Sequence, residues 1–439
     1  MRTFLSRLAD RGELAVVDRR VDPRFEIAAV TAAIQRTSNK AVLFTDVRGS
    51  DLPVVSNVYG SRARIAAALD AQERGFGTAW RERMNSPAPV ATETAASRTA
   101  GPSEGRERGT ISDLPSMHYS RDDGGAYVTA GAFLACEPET GIPNLSFHRA
   151  MVVSDHELRV RLAPGHDLTR YHEKAEHRGE PLPAVMLIGV EPHLFLAAAG
   201  RLPYQDSELD LAARIAGEPL AYERAVTVDI DVPIAAEILI EGYFLPGVRR
   251  PEGPFGEFLG YYVDVADNAV FAVTDVNWRP GAVFHSINCG STEEVLPMSM
   301  LAAAAHFARL SSRFTGITDA VRHPWINHDV ISVAQDHDGH GAEVLLDMLA
   351  APGTKMCTVV DHDVDPYDLA DVLWAVLTRG GPPALRRAPS VPSFQHDPQA
   401  SWGRLGIDAC VPYSERHQWR RKTTPGAAAV DLDAYLRRD

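Results

Sequence analysis

The chain has 439 residues, of which 45% are hydrophobic and 23% charged, which is typical of a folded globular protein and excludes disordered, collagen-like and repeat proteins. Asp and Glu (58) outnumber Lys and Arg (44), and the resulting net charge of −14 disfavours binding to nucleic acid. No segment approaches the ~20 apolar residues of a membrane span and the charged N-terminus does not resemble a signal peptide, so we expect a cytoplasmic protein without a membrane partner. Its four cysteines are scattered, which indicates reduced thiols.

Residues 1–110 are predicted to form an α/β subdomain. Hydrophobic periodicity indicates helices and strands in alternation. The predicted helices are 4–8, 24–37 and 62–69, and the predicted strands are 14–17 and 41–44. Residues 86–109 are rich in Pro, Ser, Thr, Ala and Gly without an apolar face, which predicts a mobile loop.

Residues 111–294 carry mainly β patterns. The predicted strands are 127–134, 150–153, 184–188, 225–228 and 270–274. Strands at these intervals, with few helices between them, favour a closed or split β-barrel over a doubly wound parallel sheet.

A long helix is predicted at 298–314, within a bridging segment 295–318, because its apolar face is wide enough to pack against more than one neighbour. Residues 319–439 then alternate strand, helix, strand and helix (329–334, 341–349, 358–360 and 366–377) before a charged tail that ends in a short helix. The predicted fold class is therefore mixed α/β, with a split-barrel domain joined by a helix to a C-terminal α/β domain.

The densest chemical signal is the segment 250–258, RPEGPFGEF. Its two Gly and two Pro residues exclude a helix, so a turn can aim the carboxylates of Glu252 and Glu257 at one point. Two carboxyl groups near one cation can hold different protonation states, one as an ion-pair partner and one as a proton donor. The alternative is that both are solvated turn residues.

A second signal is the segment 144–149, NLSFHR, at the start of a predicted strand. Asn144, Ser146 and His148 share one face of that strand, whereas Phe147 and Arg149 share the other. Arg149 is suited to bidentate binding of a carboxylate, although an isolated arginine is more often a structural ion-pair residue.

Other polar residues have weaker signals. His166 and Glu208 lack a metal-ligand neighbour in sequence, so each alone is best interpreted as structural or solvated. The cluster 335–340, QDHDGH, has ligand-type side chains, but it follows a strand and is best interpreted as a solvated turn. The acids of 361–365 lack the glycine of a calcium loop, and capping or turn formation is favoured for them.

Several segments together resemble the UbiD family of reversible decarboxylases that depend on prenylated FMN. The matching stretches run in the order of the family from about 124 to 380, and the first ~110 residues match loosely. They are 125–131, 137–141, 144–149, 207–208, 237–242, 252–262 (EGPFGEFLGYY) and 355–365 (KMCTVVDHDVD).

The resemblance implies the site residues. The acid–arginine–acid network of the family falls on Glu252, Arg149 and Glu257, and its metal ligands, which bridge to the cofactor phosphate through Mn²⁺ or Mg²⁺, fall on Asn144, His166 and Glu208. The flavin would be lined by 144–149, including Ser146 and Phe147, and by Gly165 with His166. Lys355 matches the lysine that contacts phosphate, and a K⁺ ion is expected nearby.

The resemblance also implies the chemistry, in which the flavin draws in the electrons as CO₂ leaves an α,β-unsaturated or aromatic acid. We expect Arg149 to orient the substrate carboxylate, Glu252 to hold Arg149, and Glu257 to deliver the proton that replaces CO₂. The alternatives are a carboxylase of an aromatic compound, a metal-dependent hydrolase without flavin, and a scaffold protein. A homodimer or larger assembly and a flavin prenyltransferase that supplies the cofactor are the expected partners.

Overall fold

A computed structural model describes residues 1–87, 89, 99–100, 105–324, 327–351, 353–380, 385–388 and 403–422, with 424–426, 430–431 and 434–435 beyond them. The chain divides into two compact units, Met1–Ala308 with Arg322–Asn327, and Arg309–Val321 with His328–Asp439. The predicted domain bounds at 110, 294 and 318 stay a prediction. Most of the predicted loop 86–109 and the predicted helix at the end of the tail lie outside the described residues. No described helix has the length and apolar content to cross a membrane.

The first unit begins with a small α/β layer whose sheet has the order β1-β2-β3-β18. Its elements are α1 Arg2–Asp10, β1 Leu14–Val17, α2 Glu26–Arg36, β2 Ala41–Phe44, β3 Val54–Ser56, α3 Arg62–Ala66, α4 Phe76–Asn85 and β18 Phe284–His285. Both predicted strands have the predicted bounds, and the three predicted helices are found. Local hydrophobicity, as apolar runs for the strands and helical spacing for the helices, was therefore a sufficient signal in this layer.

A nine-stranded antiparallel sheet forms the centre of the first unit, in the order β6-β9-β10-β17-β14-β11-β7-β8, with β5 paired to β17. Among the described residues no pairing joins β6 to β8, so the sheet is open. Its strands are β5 Glu107–Gly109, β6 Tyr127–Val128, β7 Ala132–Cys136, β8 Pro143–Phe147, β9 Ala150–Ser154, β10 Glu157–Val160, β11 Leu182–Ile188, β14 Ile238–Glu252 and β17 Ala266–Trp278.

Three helices and several short strands complete the first unit. The helices are α5 Asp167–His177, α6 Pro192–Ala199 and α7 Glu208–Ala216, and the short strands are β4 Thr99–Ala100, β12 Tyr222–Arg224, β13 Asp231–Pro233, β15 Phe255–Gly256 and β16 Tyr262–Val263. A large apolar core lies where α6 and α7 cover the sheet, and it includes Leu145, Leu187 and Phe195. The sheet is therefore packed on this face by helices, as the mixed α/β class requires.

Two predictions in this unit were wrong in detail. Residues 225–228 do not form a strand, because the N–H groups of Val226 and Thr227 donate to the Glu241 carboxylate at 2.9 and 2.6 Å and not to a neighbouring strand. The predicted strand 127–134 is two strands, β6 and β7, separated by residues 129–131.

The second unit is an α/β layer whose sheet has the order β19-β20-β21-β23-β22. Its elements are β19 Ile317–His323, β20 His328–Val333, α9 His340–Ala350, β21 Met356–Asp361, α10 Leu369–Thr378, β22 Leu385–Ala388 and β23 Arg404–Ala409. Helix α8, Thr292–Ser311, precedes it and begins six residues before the predicted start at 298. The strand and helix alternation and the mixed α/β class are confirmed.

Candidate active site

Arg149 lies between two glutamates in the first unit. Its Nε and Nη2 each donate to one oxygen of Glu252 at 3.0 Å, and its Nη1 donates to Glu257. Glu252 is fully buried, the Arg149 side chain is 9% exposed and the Glu257 side chain is 26% exposed. The network therefore has a buried end at Glu252 and a partly open end at Glu257.

The buried end is held by three further side chains. Tyr127 Oη donates to Glu252 Oε1 at 2.8 Å, and Asn268 Nδ2 donates to Glu252 Oε2 at 2.9 Å. The Arg149 guanidinium also lies 4.7 Å from the centre of the Phe255 ring. Each Glu252 oxygen thus accepts two hydrogen bonds, which compensates the cost of burying this carboxylate.

The electrostatics of Arg149 follow from this geometry. Burial by itself lowers the pKa of Arg149, but the hydrogen bonds and charge of Glu252, with the charge of Glu257, outweigh it and raise that pKa. Burial and the Glu252 charge raise the pKa of Tyr127, so this residue stays a neutral donor. Arg149 is therefore a permanent cation with a fixed orientation.

The predicted turn lies at Gly253 and Pro254, whereas Glu252 itself is the last residue of strand β14. Gly253 has φ of +103°, a conformation that favours glycine. The N–H of Gly124 donates to Pro254 O at 2.7 Å, and the N–H of Gly256 donates to Asp123 Oδ1 at 2.9 Å. These contacts fix the path of the chain from Glu252 to Glu257.

A second polar group lies along strand β8 and the start of helix α7. Ser146 Oγ donates to Asn144 Oδ1 at 2.8 Å and lies 3.0 Å from His148 Nε2, so the three side chains share a face as predicted. Glu208 Oε2 accepts from Asn144 Nδ2 at 3.1 Å and from Leu145 N at 3.0 Å. The rings of His148 and His166 are 5.7 Å apart. These contacts place the three predicted metal ligands in one neighbourhood.

The charges in this neighbourhood suit a cation. Burial raises the pKa of Glu208 to about 7, and the N–H donors that it accepts from carry no positive charge. Burial lowers the pKa of His166, and it lowers that of His148 to about 4, so both imidazoles are neutral at pH 7. A neutral imidazole with amide and carboxylate oxygens is a donor set that fits Mn²⁺ or Mg²⁺.

The other predicted cofactor residues lie in both units. Phe147 packs against Phe195, with ring centres 4.9 Å apart, and Gly165 has φ of +85° directly before His166, the N-cap of α5. Lys355 belongs to the second unit, where it is buried directly before strand β21. The roles predicted for these residues stay predictions.

Sequence reasoning missed Glu294, an acid near the open end of the network. Glu294 Oε2 accepts from Gly290 N at 2.5 Å, and its Oε1 lies 3.7 Å from Cys289 Sγ. A Cβ built on Gly290 would lie 3.6 Å from Glu257 O, so this loop contacts the chain at Glu257. Burial, with a contribution from the Glu257 charge, raises the pKa of Glu294 to about 7.

Comparison with known proteins identifies the family of the chain. Three family models of 3-octaprenyl-4-hydroxybenzoate carboxy-lyase match it in sequence order, namely the N-terminal domain at 5–84, the Rift-related domain at 90–292 and the C-terminal domain at 295–409. The chain is 30% identical over 433 residues to the anhydromevalonate phosphate decarboxylase of Methanothermobacter thermautotrophicus, covering 96% of this chain and 99% of that protein.

Solved structures agree with this assignment. The UbiD-class enzyme HmfF from Pelotomaculum thermopropionicum, in complex with FMN, is 31% identical with a TM-score of 0.91, and 99% of each chain is covered. An evolved dimeric form of that enzyme, in complex with prenylated FMN, is 30% identical with a TM-score of 0.88 over the same coverage. The chain therefore belongs to the UbiD family and is a UbiD-class carboxy-lyase.

Proposed function

We propose that the protein catalyses the non-oxidative decarboxylation of an α,β-unsaturated or aromatic carboxylic acid with prenylated FMN as its cofactor. The observation that carries this proposal is the fixed Arg149 cation between the buried Glu252 and the partly open Glu257. When bound, the cofactor supplies an electron sink for the carbon that loses CO₂. The protein then has to orient the acid and supply a proton.

The described residues fit the cofactor and its metal. The buried Glu208 carboxylate has neutral N–H partners, so a divalent ion would supply its counter-charge. Asn144, His166 and Glu208 would hold Mn²⁺ or Mg²⁺ at the cofactor phosphate, with K⁺ as a further ion. In the first unit, the cofactor would be held by Asn144, Ser146, Phe147, Arg149, Gly165, His166 and Glu208.

Arg149 has N–H groups that neither glutamate uses and that a substrate can accept from. A guanidinium carries five N–H groups. Glu252 and Glu257 accept from three of them. A substrate carboxylate can bind the remaining two without displacing the buried Glu252, and after CO₂ leaves, Glu257 is the carboxyl at the open end of the network that can deliver a proton.

The test is to express the chain together with a flavin prenyltransferase and to analyse it by absorption spectroscopy and denaturing mass spectrometry. We expect a released species with the mass of prenylated FMN, followed by CO₂ release from a panel of unsaturated and aromatic acids. The panel includes anhydromevalonate phosphate, because a relative is named for its decarboxylation. A colourless protein that is active with metal alone would contradict the proposal and favour a hydrolase.

The same loaded enzyme can test the direction of the reaction. Incubation of the decarboxylated product with labelled bicarbonate should return label to the acid, because an enzyme catalyses both directions of its reaction. If net carboxylation proceeds at low CO₂ and decarboxylation is not measurable, the protein is a carboxylase.

We also propose that the chain forms a homo-oligomer through helix α10. Leu369, Leu373 and Leu377 are spaced four residues apart and lie on one side of this helix, where they are 38%, 53% and 82% exposed. Val372 and Ala375 on the other side are buried. An apolar row of this kind is typical of a protein contact, and an evolved form of a similar enzyme is dimeric.

A further inference from the structure

The loop after strand β20 brings together three metal-ligand side chains that the sequence alone favoured as solvated. Asp336, His337 and His340 each offer one ligand atom, and these atoms all lie within 4.8 Å of one another. All three belong to the second unit, whereas the predicted ligands of the cofactor metal belong to the first. The proposed decarboxylation uses none of them.

A buried nitrogen without a hydrogen bond points into this cluster. His340 is 1% exposed, and its Nδ1 makes no hydrogen bond to any residue that the structure describes. That nitrogen lies 3.2 Å from Asp336 Oδ1, close enough for a shared ion but without hydrogen-bond alignment. Buried polar nitrogens are rarely left without a partner because desolvation then goes uncompensated, so a ligand is expected at this nitrogen.

The groups behind the three side chains resemble the outer shell of a metal site. His337 Nδ1 forms a hydrogen bond with Asp336 Oδ1, which an ion between them would replace, while its other nitrogen, Nε2, lies 3.4 Å from Glu343 Oε1. Thr315 Oγ1 donates to Asp336 Oδ2 at 2.5 Å. A ligating imidazole usually donates its second N–H to a carboxylate, and a ligating carboxylate usually accepts a further hydrogen bond.

The orientation and charge of the cluster also suit a cation. The His337 and His340 rings are stacked, with centres 4.8 Å apart and planes 10° apart, and the Nδ1 of each ring is on the side of Asp336. With neutral imidazoles, Asp336 and Glu343 bring two negative charges. A divalent ion would balance both.

We propose that Asp336, His337 and His340 bind a divalent transition-metal ion of the Zn²⁺ class, with Glu343 and Thr315 orienting the ligands. Two imidazole nitrogens and a carboxylate oxygen form the three-ligand set that such ions favour, with water as the fourth ligand. The ion would tie the loop after β20 to the first turn of helix α9 and stabilise the second unit.

The proposal is tested on the full chain, cleared of metal with a chelator and dialysed against Zn²⁺. We expect the unaltered protein to retain one more zinc ion than His337→Gln, and we expect Asp336→Asn to lose the same ion. His417→Gln, which changes an exposed histidine elsewhere in this unit, is the matched control and should bind as the unaltered protein does. Zn²⁺ should raise the melting temperature of the unaltered protein and the control more than that of either variant.

Copper distinguishes this site from the predicted cofactor metal site, which has a single histidine. The electron paramagnetic resonance spectrum of the Cu²⁺-loaded protein should show coupling to two imidazole nitrogens, and His337→Gln should reduce it to one. Equal zinc content in the unaltered protein and both variants, or unchanged nitrogen coupling in His337→Gln, would overturn the proposal. Circular dichroism that matches the unaltered protein shows that a variant has folded.

Discussion

Glu257 differs from Glu252 in what surrounds it, although both contact Arg149. Glu252 is fixed by Arg149, Tyr127 and Asn268 and is fully buried, so its carboxylate is closed to solvent. Glu257 makes one contact with the arginine and is 26% exposed. Of the two, Glu257 is therefore the more accessible carboxyl group, as its proposed role as proton donor requires.

Replacing Glu257 by Gln should therefore abolish turnover and spare cofactor binding. The amide keeps the size of the side chain but cannot deliver a proton, and loss of general acid catalysis typically costs about 10²- to 10⁴-fold in rate. The measurements are kcat and the content of prenylated FMN. Glu139→Gln, at an exposed glutamate, is the control for the substitution itself and should be fully active. A Glu257→Gln enzyme with full activity would contradict the proton-donor role.

Glu294 should make the stability of the protein depend on pH. Its pKa is raised from an ordinary 4.5 to about 7, so the folded state holds this proton more tightly than the unfolded state does. Stability is therefore lost as the pH rises from 4.5 to 7, and the loss is complete above 7.

Glu294→Gln removes this loss because glutamine does not titrate. Relative to the unaltered protein, the free energy of unfolding of the variant should rise with pH over that interval, by about 1–3 kcal/mol in total. Denaturant unfolding at several pH values from 4.5 to 8 measures this difference. The contributions of the other carboxyl groups are common to both proteins and cancel in it. Parallel pH profiles for the two proteins would show that the pKa of Glu294 does not differ between the folded and unfolded states.

The residue types in two short segments marked Arg149, Glu252 and Glu257 as candidates, and the family resemblance joined them in one network. The residues that hold them were not predicted from the sequence. Asn268 contacts Glu252 because strands β14 and β17 pair in a register that places it opposite Arg250. Glu294 lies near the network because its partner Gly290, in the loop before α8, lies against the chain at Glu257. Contacts of this kind depend on long-range pairing, which local periodicity does not encode.

At the scale of elements, the segment that carries both glutamates is positioned by close backbone packing. A Cβ on Gly124 would lie 2.1 Å from Gly253 O, whereas a Cβ on the neighbouring Gly125 would lie 3.7 Å from its nearest atom, Met151 Cγ. Only Gly124 is therefore required by the approach of the two chains.

Gly124→Ala should displace the turn at Gly253 and lower activity, while Gly125→Ala should have little effect. The clash in Gly124→Ala involves backbone atoms, which cannot move aside as a flexible side chain can, so we expect at least about 1 kcal/mol of lost stability and a larger loss of kcat. Thermal unfolding and kcat of the two variants, measured side by side, test this. Equal melting temperatures and equal kcat values for the two variants would show that the turn tolerates the displacement.

Elements were predictable where local hydrophobicity decides the structure and unpredictable where a distant side chain does. Strands β1 and β2 have the predicted bounds because most of their apolar residues, although not Val16, face a core. Residues 225–228 have the same β-type composition, yet they form no strand. The N–H groups of Val226 and Thr227 donate hydrogen bonds to the Glu241 carboxylate. A buried acceptor on another strand thus overrides the local preference.

At the scale of the whole molecule, the predicted and proposed functional residues are distributed over the two units. The first unit holds the Arg149 network and the predicted metal ligands, and the second holds Lys355, the Asp336 cluster and the apolar row of α10. Family models match the chain in three consecutive segments that include both units. Catalysis and self-association can therefore be tested by separate substitutions.

Charges placed on the α10 row should break up the assembly without removing the catalytic network. In Leu373→Glu combined with Leu377→Glu, two carboxylates replace apolar surface that a second copy would bury, so the contact would lose apolar burial and gain desolvated charge. The measurement is molar mass by light scattering after size exclusion. Val16→Glu, at a 59% exposed valine in the first unit, is the control and should leave the mass unchanged. An unaltered protein that is monomeric, or a double variant of unchanged mass, would show that this face of α10 does not form the contact.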